Sequence, residues 1–321
     1  MSESLFGEVE AGPSVHIALG EAAASEAWCS LAAEIEARVP GVSIVAGKAP
    51  EGAGFSIEAR FGTAVTTWRI FPDQAMRAAL LEYLDAAVSG ESGLEEGFVE
   101  SLRSLARLAP LVSYTARWCE ASASAASLMA RATLAAPGLR VTLEDAEAIG
   151  RDDLPPLFDS VPLTLADGRA RLYGAFTPKE LLSLLSAASE GRHDAFCLAG
   201  LLGQKRGGEA LALLREKVVP ARAAGELVAT PDVALRMGAI LLLEDLARLD
   251  RALASEALPP VLAMLDDPSP RQRADALLAI AEIGDLRVLP RVEACLEDDD
   301  EDVREGAAET LERLRSAPAW G

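Results

Sequence analysis

The chain has 321 residues, of which half are hydrophobic and a quarter are charged, as in ordinary globular proteins. Its formal net charge of −20 argues against a nucleic-acid partner, because phosphate binding needs a basic surface. No stretch is apolar enough to span a bilayer, and the acidic N-terminus lacks the features of a signal peptide. We therefore expect two or three domains in a cytoplasmic protein without a membrane partner.

The first hundred residues predict the order strand, helix, three strands, helix, and a further helix leads into the next segment. No cysteine motif lies near the start of this segment. The predicted strands are 14–19, 42–46, 55–61 and 65–68, and the predicted helices are 25–38, 74–88 and 93–108.

A second segment, residues 111–185, predicts the order strand, helix, strand, helix, two strands and helix. Pro137-Gly138 ends the first of these helices, Asp167-Gly168 makes a hairpin turn, and Thr177-Pro178 begins the last helix. The predicted strands are 111–116, 139–143, 163–166 and 170–173, and the first two helices are 122–135 and 147–158.

Two short motifs in this segment carry a resemblance to a known fold. Trp118-Cys119 stands at a strand-to-helix junction, and Val161-Pro162 precedes a strand. This arrangement resembles the thioredoxin fold, in which the nucleophilic cysteine occupies the junction and a cis-proline faces it. The resemblance implies that Cys119 and Ser122 are catalytic and that Trp118, Val161 and Pro162 bind substrate.

The two segments together are similar to a tandem architecture. It is that of the protein disulfide oxidoreductases and of the N-terminal domain of the flavoprotein subunit of alkyl hydroperoxide reductase. Both families carry their working CxxC motif in the second half. In this chain Ser122 stands where the second cysteine of that motif would be.

A lone Cys119 limits the chemistry that the motif can perform. A thiol in the first turn of a helix lies at the positive end of the helix dipole, which stabilises the attacking thiolate. Arg117 adds positive charge and Glu120 opposes it. Ser122 cannot resolve a mixed disulfide, and its hydroxyl can at most bond to Cys119. Monothiol glutaredoxins also use CxxS, but they carry Gly-Phe where this chain has Glu120-Ala121.

The other cysteines, Cys29, Cys197 and Cys295, are far apart and are interpreted as core residues of helices. With two histidines in the chain and no CxxC pair, the sequence predicts neither a zinc site nor a disulfide framework. Nucleotide-binding glycine motifs are absent as well, so we expect no cofactor.

The last third of the chain repeats itself at an offset of 31 residues, residues 258–285 matching 289–316. Each unit predicts two short amphipathic helices separated by an acidic turn, which resembles the HEAT-like repeats. In that family an Asp and an Arg bond to neighbouring repeats, which implies this role for Asp267 with Arg273 and Asp298 with Arg304. The acidic run 297–302 lacks the spaced oxygens and the glycine of an EF-hand loop and is interpreted as a solvated turn.

The sequence therefore predicts an α/β plus all-α protein: two thioredoxin-like halves at 1–108 and 109–190, then a HEAT-like α-solenoid at 191–321. Two functions remain open. One is a thiol–disulfide redox protein that uses Cys119 alone to form mixed disulfides with a partner protein docked by the repeats. Such a protein would be a monothiol thiol–disulfide oxidoreductase. The other is a non-catalytic adaptor built from vestigial thioredoxin folds and the repeats. In both, the expected partner is a protein, in the first a thiol or disulfide protein.

Overall fold

The computed structural model describes residues 14–19, 26–39, 43–48, 55–72 and 74–316. Contacts within the chain divide it into unit 1, residues 1–193, and unit 2, residues 194–321. The described strands all lie in unit 1 and join in a single mixed sheet, whereas the described part of unit 2 is helical. The predicted fold class, a mixed sheet with helices followed by a helical region, is confirmed.

The first half of unit 1 builds one end of the sheet, with the strand order β2-β1-β3-β4. Strands β1 and β2 are parallel, and β3 runs antiparallel to both β1 and β4. On α1 the buried side chains Leu31 and Ile35 are four residues apart, which sets the face that packs inward. The elements are β1 (Ser14–Leu19), α1 (Glu26–Arg38), β2 (Ser43–Lys48), β3 (Phe55–Phe61), β4 (Ala64–Arg69), α2 (Gln74–Ser89) and α3 (Glu96–Ser104).

The second half repeats this topology with the strand order β6-β5-β7-β8. Strands β5 and β6 are parallel, and β7 is antiparallel to both β5 and β8. Parallel pairing of β4 with β6 joins the two halves into one sheet of eight strands. The elements are β5 (Leu111–Thr115), α4 (Glu120–Ala135), β6 (Arg140–Asp145), β7 (Leu163–Ala166), β8 (Ala170–Tyr173) and α5 (Pro178–Ser189).

The prediction of a helix at residues 147–158 is wrong, because this segment forms only a 3-10 turn at Arg151–Asp153. Gly150 precedes the turn and Pro155-Pro156 follows it, and proline neither donates the helical hydrogen bond nor fits the preceding turn. The buried Arg171 donates from Nη1 to the carbonyl oxygen of Pro156 at 2.8 Å. A side chain of β8 thus holds the segment in an irregular path.

Unit 2 consists of short helices, and the internal repeat is visible in their bounds. Helices α11 and α13 are each followed by a 3-10 turn, and α12 and α14 then follow at the predicted offset of 31 residues. The helices are α6 (His193–Gly203), α7 (Gly207–Arg215), α8 (Arg222–Val228), α9 (Val233–Leu249), α10 (Arg251–Ser255), α11 (Leu258–Ala263), α12 (Pro270–Ile283), α13 (Leu289–Ala294) and α14 (Glu301–Ser316).

Three arginines make the same contact in successive repeats. Each donates from Nη1 to the carbonyl oxygen six residues earlier, which ties the second helix to the turn that precedes it. The pairs are Arg236 with Thr230 at 2.7 Å, Arg273 with Asp267 at 2.9 Å and Arg304 with Asp298 at 2.7 Å. Arg273 also binds both carboxylate oxygens of Asp298 in the next repeat, at 2.6 and 2.9 Å. The expected bond between neighbouring repeats is therefore confirmed for Arg273.

Within the part of the chain that the structure describes, no helix combines the length and the apolar character needed to cross a bilayer.

Candidate functional site

Cys119 caps the N-terminus of α4, directly after β5. Its backbone N–H donates to the carbonyl oxygen of Ala116 at 3.2 Å, and its own carbonyl oxygen accepts from the N–H of Ala123 at 3.2 Å. The side chain is half-buried and carries a free thiol. Cys119 is therefore the N-cap residue of a helix of 16 residues, and its side chain makes no capping hydrogen bond to that helix.

The structure brings Cys119 next to the Val161-Pro162 motif, as the sequence predicts. The Sγ of Cys119 lies 3.8 Å from the carbonyl oxygen of Val161. The Val161–Pro162 peptide bond is cis, and the carbonyl oxygen of Pro162 accepts a hydrogen bond from Gly174 at 2.9 Å. A group that reaches the thiol thus meets the backbone of the segment leading into β7.

Ser122 lies one helical turn beyond Cys119, but its hydroxyl forms its hydrogen bond with another residue. The side chain is fully buried, and its Oγ accepts a hydrogen bond from the backbone N–H of Ala116 at 3.2 Å. Among the described contacts of this hydroxyl, none is to Cys119. The sequence did not predict that the Ser122 hydroxyl bonds to the backbone of Ala116, because a hydrogen bond from backbone to side chain leaves no pattern in the sequence.

The two residues before the cysteine contact the end of β6 and the loop that follows it. The indole N–H of Trp118, whose side chain is 68% exposed, donates to Glu147 Oε1 at 3.1 Å. The Nε of Arg117 lies 3.6 Å from Asp145 Oδ2. The charge that Arg117 was expected to lend to the thiol therefore faces a carboxylate.

Asp145 and Glu147 belong to the site, although the sequence analysis did not single them out. Asp145 is the last residue of β6 and Glu147 lies just beyond it. Because β6 pairs in parallel with β5, the carboxyl ends of both strands meet at one edge of the sheet. Burial raises the pKa of Asp145, whereas the N–H of Glu147, at 3.1 Å, and the charge of Arg117 oppose this rise. That parallel pairing is the signal that would have found them.

The remaining cysteines are Cys29 in unit 1 and Cys197 and Cys295 in unit 2. Cys29 is exposed on α1, so the expectation that it is a core residue is wrong: the buried face of that helix contains Leu31 and Ile35. Cys197 and Cys295 are buried in unit 2, as predicted, and burial raises the pKa of the Cys295 thiol. Across the described residues, no group of His, Cys, Asp and Glu side chains is arranged to hold a metal ion.

Unit 1 comprises two thioredoxin-like halves that share one sheet, with Cys119 at the N-terminus of the first helix in the second half. Unit 2 is an array of helical repeats, and the family model for HEAT repeats matches residues 221–312. No curated protein matches the sequence significantly.

Several solved structures are similar in fold at low sequence identity. The N-terminal domain of alkylhydroperoxide reductase AhpF from Enterococcus faecalis is 16% identical, with a TM-score of 0.45, over 54% of this chain and 90% of that chain. A protein disulfide oxidoreductase from Aeropyrum pernix is 18% identical, with a TM-score of 0.44, over 56% and 87%. Sso1120 from Sulfolobus solfataricus is 13% identical, with a TM-score of 0.41, over 50% and 88%.

Proposed function

We propose that this chain is a thioredoxin-like thiol–disulfide exchange protein that uses Cys119 alone, on a partner protein that docks on the HEAT-like repeats. The observation that carries the proposal is the position of the thiol. It is half-exposed at the N-terminus of a long helix, and its Sγ lies 3.8 Å from the Val161 carbonyl oxygen. The start of a helix is a position at which protein thiols commonly attack disulfides.

The proposed reaction exchanges one disulfide for another. The Cys119 thiolate attacks one sulfur of a partner disulfide, forming the mixed disulfide and releasing the other partner sulfur as a thiolate. A second thiol, from the partner or from glutathione, then attacks the mixed disulfide and restores the Cys119 thiolate. No net electrons stay on this protein, so no cofactor is needed. A cytoplasmic setting fits the four free cysteines.

Each site residue has a role in this proposal. Val161 and Pro162 present backbone to the bound segment, and the exposed Trp118 flanks it. Ser122 supports the site rather than the reaction, because its hydroxyl holds the Ala116 N–H at the end of β5. Ser122 thus has a structural role.

A non-catalytic adaptor is the second candidate, and one observation favours it. Two polar side chains close to Cys119 in sequence have other partners: Ser122 bonds to Ala116, and Arg117 faces Asp145. An adaptor would keep Cys119 as an ordinary thiol and use the folds for binding alone.

The test compares two cysteines of the same molecule. Cys29 is exposed, whereas Cys119 is half-buried, so access alone makes Cys29 the faster thiol. We expect iodoacetamide, followed by peptide mass spectrometry, to label Cys119 several times faster than Cys29. Glutathione disulfide should add a glutathione at Cys119, and Cys119→Ser should abolish it while Cys29→Ser should not. Labelling of Cys119 no faster than that of Cys29 would support the adaptor instead.

A further inference from the structure

Four leucines of unit 2 expose their side chains at positions that recur along the chain. Leu241 on α9 is 60% exposed and Leu278 on α12 is 40% exposed. They are 37 residues apart, as are the exposed Leu249 and Leu286. The same offset separates the first residues of α9 and α12. Leu241 and Leu278 therefore occupy equivalent positions in successive repeats, and together with Leu249 at the end of α9 they form what we call the leucine face. Leu286 lies in the 3-10 turn after α12 and is not part of it.

The spacing on the leucine face follows from helix packing. Helices α9 and α12 pack against each other, with the Nε of Arg236 2.7 Å from Asp275 Oδ2. Packed helices lie about 8–10 Å apart, so Leu241 and Leu278 are separated by roughly that distance. Along α9, Leu241 and Leu249 are about 12 Å apart at 1.5 Å per residue. Exposed apolar side chains that cluster across repeats, rather than occurring singly, indicate a binding surface.

The surroundings of the leucine face are acidic. Arg248 pairs with two of the carboxylates on α9, and Arg313 on α14 binds a carboxylate of α12 with both its terminal nitrogens at 2.8 Å. Three carboxylates from three helices act on Arg313 and raise its pKa. Around Leu241 and Leu278, four carboxylates thus stand against these two arginines, so negative charge exceeds positive charge there. The carboxylates are Glu244, Asp245, Glu282 and Glu309.

We propose that the leucine face docks an amphipathic helix of a partner protein whose apolar side chains are flanked by Lys or Arg. This rests on the proposed function, because it names the chemistry of the partner that the repeats dock. On a helix, residues i and i+7 are about 10.5 Å apart, which matches the spacing of Leu241 and Leu278. Lysine or arginine beside these residues would face Asp245 and Glu309, whose side chains are exposed.

A designed peptide tests this surface without knowledge of the natural partner. The probe is a fluorescent, helical peptide of leucine and lysine with leucines at i and i+7, titrated against the full chain by anisotropy. All proteins carry Cys119→Ser, so that mixed disulfides do not contribute. We expect binding with one peptide per chain, weakening as salt is raised. Replacing both leucines (Leu241→Ser with Leu278→Ser) should weaken binding at least tenfold.

Matched controls decide the outcome. Leu296 is 39% exposed elsewhere in unit 2, so Leu296→Ser should bind the peptide as before. The double variant should stay folded, with only a small fall in its unfolding temperature, because Leu241 is 60% and Leu278 40% exposed. Equal binding by the double variant, or equal binding of a leucine–glutamate peptide, would overturn the proposal. Because the thiol is absent, failure here leaves the Cys119 labelling test intact, and failure of that test leaves peptide binding intact.

Discussion

The hydroxyl of Ser122 accepts a hydrogen bond from the backbone N–H of Ala116 at 3.2 Å, and both groups are buried. This bond connects the end of β5 to the first turn of α4, on either side of Cys119. It holds the sulfur at the helix N-terminus without touching it. Ser122, which stands where a dithiol motif has its second cysteine, therefore links the segments on either side of Cys119.

Replacing Ser122 with alanine separates the structural role from a chemical one. The change leaves the Ala116 N–H buried without a partner, and we expect the free energy of unfolding to fall by about 1–3 kcal/mol. The rate at which iodoacetamide labels Cys119 should stay within about twofold of the wild type, since the hydroxyl does not contact the sulfur. A large loss of labelling with unchanged stability would show that Ser122 acts on the thiol.

Replacing Ser122 with cysteine should create the missing dithiol. With dithiothreitol as the electron donor, we expect near-zero insulin reduction by the wild type and clear turnover by Ser122→Cys, because the new thiol can resolve the mixed disulfide. Ser122→Ala is the matched control, since it also loses the hydroxyl but gains no sulfur. Equal activity of the wild type and Ser122→Cys would contradict our account of this position.

Most helices and strands were predictable because hydrophobic periodicity and breakers act locally. The helix expected at 147–158 failed because Gly150 and Pro155-Pro156 outweigh the apolar positions between them. The prediction that Cys29 is a core residue failed for another reason. An Ala/Leu-rich composition predicts that α1 is a helix but does not say which side faces inward, and Leu31 with Ile35 decides that.

At the site, the resemblance predicted that Cys119 meets Val161-Pro162, since the topology brings the segment before β7 to the start of α4. It could not predict the contacts of Arg117 with Asp145 or of Trp118 with Glu147. These depend on where two loops at one sheet edge lie, and loop paths are not encoded in periodicity. Their function stays a prediction until Cys119 is assayed.

Arg273 should matter more for unit 2 than its neighbour in sequence. It bonds to the preceding turn through Asp267 and to the next repeat through Asp298, and the Asp298 carboxylate raises its pKa. We expect Arg273→Ala to lower the thermal unfolding midpoint clearly, and Arg273→Lys to restore little, because lysine cannot form the bidentate contact. The exposed Arg271 serves as the control, and Arg271→Ala should leave the midpoint unchanged. Equal effects of the two alanine variants would argue against the arginine contact.

Asp285 should make part of the stability dependent on pH. Hydrogen bonds from the side chain and the backbone N–H of Arg287 lower the pKa of Asp285 to about 2, from 3.8. Because the folded pKa is depressed, this contribution is fully present above 3.8 and is lost as the pH falls towards 2. The difference in unfolding free energy between wild type and Asp285→Asn should therefore shrink over that window. A difference that stays constant down to pH 2 would contradict the assignment.

Replacing glycine with alanine should lower the stability of the protein at Gly225 and raise it at Gly200. Gly225 lies in α8, where a Cβ would meet the carbonyl oxygen of Ala257 and approach Pro260 Cγ to 2.8 Å. Because that carbonyl belongs to the backbone at the start of α11, Gly225→Ala must push the two helices apart, at a cost of about 1–3 kcal/mol.

Gly200 lies exposed in α6, where a Cβ would meet no described atom within 4 Å. Alanine restricts the unfolded chain and favours the helix, so Gly200→Ala should stabilise the protein by about 0.5–1 kcal/mol. Urea unfolding of both variants measures the two changes. If Gly225→Ala proved as stable as the wild type, the close approach of α8 to α11 would be wrong, and so would the tight packing of this repeat.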